Sequence, residues 1–183
     1  MEQLEIRVSG FGGQGIILSG FIIGKAASIF DGKEATMAQA YGPEARGSAC
    51  SSQVIISDRA IHFPYVSETA ILVAMSQEAH DKFVDEVKPG GMVLIDETLV
   101  NTGAFPEGTL VYKIPATQIA EDLGRKIVAN IVMLGFFAAC SGVVGREAMC
   151  KAVADSVPSA AVDLNMKAFD LGYEHGEALV KPQ

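Results

Sequence analysis

Leu4-Glu5-Ile6-Arg7-Val8-Ser9-Gly10-Phe11-Gly12-Gly13-Gln14-Gly15-Ile16 is the stretch on which the fold turns. Residues 4–9 alternate apolar and polar side chains and read as a strand. The glycine cluster 10–15 reads as a tight turn. Residues 16–30 are strongly apolar and read as a helix that Asp31-Gly32 stops. Strand, glycine turn and helix in this order open an α/β fold. Gly10, Gly12 and Gly15 match G-x-G-x-x-G in the strand-to-helix context of a phosphate-binding turn. Glycine lets the backbone turn sharply and approach a ligand. The first N–H groups of the next helix are unpaired and favour an anion. The spacing leaves two readings open, a nucleotide or phosphate site and a turn that merely packs helix against strand. A dinucleotide fold also needs an acid at the end of its second strand to hold the ribose. Asp31 and Glu34 lie before that strand, which covers 34–40 and ends at Tyr41-Gly42.

Working outward, a polar loop, 41–48, leads to a β-branched strand at 52–57. Ala70–Ala74 is a continuous apolar run, as in a strand covered on both faces. Gln77–Val87 reads as an amphipathic helix stopped by Pro89-Gly90-Gly91, and 92–96 and 110–114 read as further strands. Beyond Pro115 the pattern is helical, with segments at 116–123, 127–140, 146–156 and 162–179. The expected architecture is one α/β domain over 1–183. It has three α/β/α layers, a mainly parallel sheet, a Rossmann-like opening and a helical C-terminal third.

Composition narrows the function. The chain has 183 residues, enough for one domain with a full core. Its formal net charge of −8 argues against phosphate-backbone binding and against a basic membrane-surface mode. Tryptophan is absent, so an aromatic platform for single strands is not expected. From Ile127 to Val144 there is no charge, but Asn130, Gly135, Ser141 and Gly142 dilute the run. That reads as a helix buried in a core or a subunit interface rather than a membrane span. The acidic start lacks the basic n-region of a secretion signal, and Cys50, Cys140 and Cys150 form no C-x-x-C pair. The expectation is a cytoplasmic protein that binds neither nucleic acid nor membrane. Three cysteines are too few for a [4Fe–4S] cluster, which takes four thiolates. His62, His80 and His175 are scattered without metal-ligand spacing and read as packing or surface residues. No catalytic residue and no metal ligand is assigned.

Two loops together carry a resemblance. Gly-Phe-Gly-Gly-Gln-Gly-Ile (10–16), followed by Tyr-Gly-Pro-Glu-Ala-Arg-Gly (41–47), resembles the gamma subunit of 2-oxoacid:ferredoxin oxidoreductases, as does Asn130-Ile131-Val132-Met133-Leu134-Gly135. The resemblance runs from about residue 4 to about residue 175. One departure is Ser48, where the family often has a second glycine after the arginine. The resemblance implies a component of a complex that oxidatively decarboxylates a 2-oxoacid, transfers the acyl group to coenzyme A and reduces ferredoxin. Thiamine diphosphate, Mg, iron–sulfur clusters and coenzyme A are then expected in the complex, none held firmly by this chain. The implied partners are the thiamine-diphosphate and ferredoxin-type chains, with ferredoxin reached through the complex. Ligand or interface candidates are Gly10, Gly12, Gly13, Gln14, Gly15, Tyr41, Glu44, Arg46 and Asn130. Glu44 and Arg46 are open to three roles: pairing with each other, facing solvent, or meeting a ligand or partner. Two other functional classes stand beside this one. One is a stand-alone Rossmann-like module for a nucleotide or anion. The other is a purely structural chain whose apolar helix at 127–140 docks in an interface. The domain should bury a core alone, and a homodimer is one form open to it.

Overall fold

The computed structural model describes residues 3–40, 49–63 and 66–181. Strands β1 (Leu4–Phe11), β2 (Glu34–Ala40), β3 (Ala49–Ser57), β4 (Thr69–Ala74), β5 (Val87–Asp96) and β6 (Leu110–Ile114) form one sheet. Its order is β2-β3-β1-β4-β5-β6. The pairs β1–β4, β4–β5 and β5–β6 are parallel, whereas β3 runs antiparallel to both β1 and β2. The helices are α1 (Ile16–Lys25), α2 (Gln77–Phe83), α3 (Ala116–Asp122), α4 (Ala129–Ser141), α5 (Arg146–Ala154) and α6 (Val162–Val180).

Strand alternation sorts side chains to the two faces. Ile6, Val8, Val54, Ile56, Ile71, Val73, Leu94 and Ile114 join residues of α1, α3, α4, α5 and α6 in one large core. On the other face Leu72, Val93 and Ile95 pack with Phe83, Val84 and Val100. The three layers are therefore unequal, with a thick helical layer opposite α2 and irregular chain. Arg7 lies on the thin face, pairing with Glu86 at 2.7 Å and stacking on Phe83 with its guanidinium 4.4 Å from the ring centroid. Burial pulls its pKa down, and the Glu86 charge opposes that pull.

Several element boundaries differ from the sequence expectation. The helix at 16–30 is α-helical to Lys25 and continues as a π-turn over Ala26–Phe30. The helix at 77–87 ends at Phe83, with a 3₁₀ turn to Glu86. Pro89-Gly90-Gly91 does not stop a helix but lies inside β5. Thr69 pairs with Val87 and Ile71 with Met92, so residues 88–91 form a bulge in the ladder. Gly90 takes φ +73 there, and a Cβ on Gly91 would press on the Lys88 and Ala70 carbonyls. The apolar segment after Ile127 is also settled. Ala129–Ala138 of α4 are all buried within this chain, so α4 is the domain's own core and not a free docking helix. No helix among the described residues is long and apolar enough to cross a membrane.

Candidate functional site

β1 extends through Phe11, and the turn after it is closed by one side chain. Gln14 accepts from the Phe11 N–H at 2.6 Å and donates through Nε2 to the Met75 carbonyl at 2.8 Å. Met75 follows β4, and its own N–H donates to the Ser9 carbonyl at 2.9 Å. The ends of β1 and β4 are thus tied by backbone and side chain alike. The motif's glycines follow from this closure. A Cβ on Gly10 would collide with Gln14 and Ile16. Gly12 is an exposed turn residue, and Gly13 has φ +101. Gly15 begins α1 at φ +74, and a Cβ there would overlap the Asn130 amide. The Gly15 carbonyl receives the Ser19 N–H at 2.9 Å and hydroxyl at 3.0 Å, with Asn130 Nδ2 at 3.5 Å.

The fold gives a reason against the dinucleotide reading. β3 intervenes between β1 and β2, so the end of β2 is not beside the glycine turn, where a ribose-binding acid would be needed. Asp31 is instead held by Lys33 at 2.7 Å.

At the C-terminal ends of β1 and β4 lies a cleft of about 320 Å³ lined by Gly13, Gln14, Met75, Thr117, Lys126, Ile127 and Ala129. This is the crevice where the chain switches from one face of the sheet to the other, since α1 covers one face and α2 the opposite one; open α/β folds bind ligands at such a place. One wall is the glycine turn. The other is the start of α3, the Lys126 turn and the start of α4. Lys126 brings an exposed ammonium, 3.1 Å from Glu121, and Ile127 is 65% exposed beside it. That second wall is pinned by Asp96, which is completely buried at the end of β5. It accepts from Thr117 N–H at 3.1 Å, Thr117 Oγ1 at 2.5 Å and Thr98 N–H at 3.1 Å.

The structure thus gathers Gly10, Gly13, Gln14, Gly15 and Asn130 about one turn. Tyr41, Glu44 and Arg46 lie outside the described residues. Sequence reasoning missed Met75, Asp96, Thr117, Lys126 and Ile127. Two signals were available, an acid closing an apolar strand (Asp96) and a pair of cations, Arg125 and Lys126, just before the uncharged run. Two of the histidines sit in packed surroundings, while His62 is exposed. His80 is buried, bonded to Asp81 at 2.8 Å and edge-on to Phe105, and His175 contacts Phe136 and the Lys113 carbonyl. Cys50 is buried, and Cys140 and Cys150 are half-buried; burial raises all three thiols, that of Cys140 to about 12.

The pyruvate ferredoxin/flavodoxin oxidoreductase family matches residues 5–175. This chain belongs to that family. The 2-oxoglutarate synthase subunit KorC of Methanocaldococcus jannaschii is 53% identical over 177 residues, covering 96% of this chain and 95% of that one. The crystallised gamma subunit of a keto/oxoacid ferredoxin oxidoreductase from Geobacter sulfurreducens superposes with a TM-score of 0.85 at 47% identity, covering 96% of this chain and 99% of that one. The 2-oxoglutarate:ferredoxin oxidoreductase of Magnetococcus marinus, solved with 2-oxoglutarate, coenzyme A and succinyl-CoA bound, gives 0.89 at 26% identity. It is matched over 100% of this chain but 32% of its own, so there the same domain belongs to a longer polypeptide. The chain is accordingly a gamma subunit of a 2-oxoacid:ferredoxin oxidoreductase, an oxidoreductase component that works with other subunits. The stand-alone nucleotide module is not favoured.

Proposed function

We propose that the complex served by this chain oxidises 2-oxoglutarate, transferring the resulting acyl group to coenzyme A and the electrons to ferredoxin. The observation that carries this is the grading of similarity. Identity is 53%, 43% and 43% with three 2-oxoglutarate synthase subunits, against 35% with a pyruvate synthase subunit and 34% with a ketoisovalerate oxidoreductase subunit; below that level the grading is lost, since a fourth 2-oxoglutarate synthase subunit stands at 32%. Thiamine diphosphate, Mg²⁺ and the clusters belong in this reading to companion chains. The cysteines fit that division. They are three, one fewer than the four thiolates of a [4Fe–4S] cluster, and burial raises each towards the neutral thiol. Unpaired thiols suit a reducing cytoplasm.

This chain contributes assembly and one wall of a coenzyme A contact. Lys126 and the glycine turn offer positive charge and close backbone approach to an anionic group; Arg46, named with the turn from the sequence, is the second cation to be tested in that role. The complex reassembled from its separate chains tests both the substrate and the contact. Ferredoxin reduction should be fastest with 2-oxoglutarate, and faster turnover of pyruvate or a branched-chain oxoacid overturns the substrate assignment. Lys126→Ala, Gly12→Val and Arg46→Ala should each raise KM for coenzyme A. Wild-type values in all of them would remove the contact from this chain.

A further inference from the structure

The cleft has two walls and each is held by one side chain. On the glycine side Gln14 is consumed by its own clamp, its amide oxygen on Phe11 N–H and its Nε2 on the Met75 carbonyl. On the other side the clamp is Asp96, and its consequences reach further. It fixes Thr117 by both main chain and hydroxyl. Thr117 lines the cleft at the start of α3. The end of α3 in turn carries Glu121, which holds Lys126 at 3.1 Å. Lys126 and Ile127 then lead directly into α4.

Hydrogen-bond chemistry fixes the polarity of Thr117. A carboxylate only accepts, and a hydroxyl has a single hydrogen. At 2.5 Å from Asp96 Oδ2 that hydrogen is committed to Asp96, and what Thr117 Oγ1 retains is lone pairs. Any polar group that meets Thr117 in the cleft must therefore donate. Lys126, nine residues on, can only donate and takes an anion.

We infer that Asp96 is a positioning residue that orients Thr117 as an acceptor in the cleft, so that the ligand accepted there carries an N–H or O–H group beside its anionic group. A bare phosphate or carboxylate satisfies Lys126 alone, whereas a ligand with an amide or hydroxyl next to its phosphate satisfies both. This rests on the proposal that the cleft contacts coenzyme A, and it adds the polarity and the residues that enforce it.

The test uses the assembled complex with coenzyme A as the varied substrate. Thr117→Val keeps the side chain's shape and removes its oxygen. It should raise KM for coenzyme A about fivefold, the worth of one neutral hydrogen bond, with the loss on KM rather than kcat. Thr117→Ser restores the oxygen and should return KM to the wild-type value. Asp96→Asn keeps the size but no longer compels the hydroxyl to donate inward, and should raise KM in the same sense. Lys126→Ala, read in parallel, separates the two ideas. If it raises KM while Thr117→Val and Asp96→Asn do not, the acceptor role is overturned and the cleft contact stands. If none of the three moves KM, both fall. If neither Thr117→Val nor Asp96→Asn enters the complex at wild-type stoichiometry, the pair serves folding and the inference is overturned.

Discussion

The glycine turn after β1 and the crossing of α4 over α6 use the same residue type for opposite reasons. At the turn, glycine supplies backbone conformations, with Gly13 and Gly15 at positive φ, where a side chain is strained. At the crossing, glycine supplies room. A Cβ on Gly135 would overlap the Phe169 carbonyl oxygen, and one on Gly172 would overlap the Val132 carbonyl oxygen. Each helix presses its backbone into the gap left by the other's missing side chain. Gly176 extends the seam, where a Cβ would lie 2.7 Å from Ala139 Cβ. The obstacles at the turn are the ends of side chains such as Gln14 and Asn130, while those at the crossing are backbone. The difference is one of compliance, because a side chain rotates away whereas a backbone carbonyl moves only with its helix.

The largest effect should therefore be at the crossing. Gly172→Ala or Gly135→Ala must push the buried helices α4 and α6 apart, and each should destabilise the fold by about 3 kcal/mol, the upper range for overpacking. Helix propensity works the other way, alanine being favoured over glycine by about 1 kcal/mol. Urea unfolding of the chain decides between them. A neutral or stabilised Gly172→Ala would break the contrast, since only a loose crossing could accept the methyl.

This contrast also marks what the sequence could disclose. Glycine abundance was plain in the sequence, and the turn was found because its glycines are adjacent to a strand and a helix. Gly135, Gly172 and Gly176 carry no such local mark, because their partners lie more than thirty residues away along the chain. The same division holds for strands and site. The strands at 34–40 and 110–114 were legible because their patterning is local. Pro89-Gly90-Gly91 misled because the bulge that accommodates it exists only in pairing with β4. Gln14, Gly15 and Asn130 were named from motifs, but Thr117 and Lys126 reach the cleft only through the packing of α3 and α4 against the strand ends.

A middle-sized effect sharpens the comparison at the turn. Gly15→Ala meets both obstacles, φ +74 and the Asn130 amide. Left-handed backbone costs a non-glycine residue about 1–2 kcal/mol. Displacing Asn130 adds to this, for a total near 2 kcal/mol. Gly13→Ala, with nothing within 4 Å of its Cβ, should show the backbone cost alone, about 1 kcal/mol. The double variant Gly15→Ala/Asn130→Ala should recover the difference between the two, and a double-mutant cycle measures it. Additive losses would show that Asn130 does not bear on Gly15.

The smallest effect compares the two regions through their thiols. Cys50 pairs in the ladder with Gly10 at the turn, and Cys140 lies in the crossing, its Sγ 3.2 Å from where a Gly176 Cβ would be. Burial raises both, Cys50 with a partial offset from a backbone hydrogen bond and Cys140 from an ordinary 9.0 to about 12. The sign follows from proton linkage. Between pH 9 and 12 the unfolded chain has lost the Cys140 proton while the folded chain keeps it. The folded state binds more protons there, so stability falls as pH rises through that window. At pH 8 alkylation of Cys140 should be slow in the folded chain, and urea should speed it. The urea midpoint should drop between pH 8 and pH 10, and Cys140→Ala should flatten that drop. A drop unchanged in Cys140→Ala would place the titration elsewhere than at the crossing.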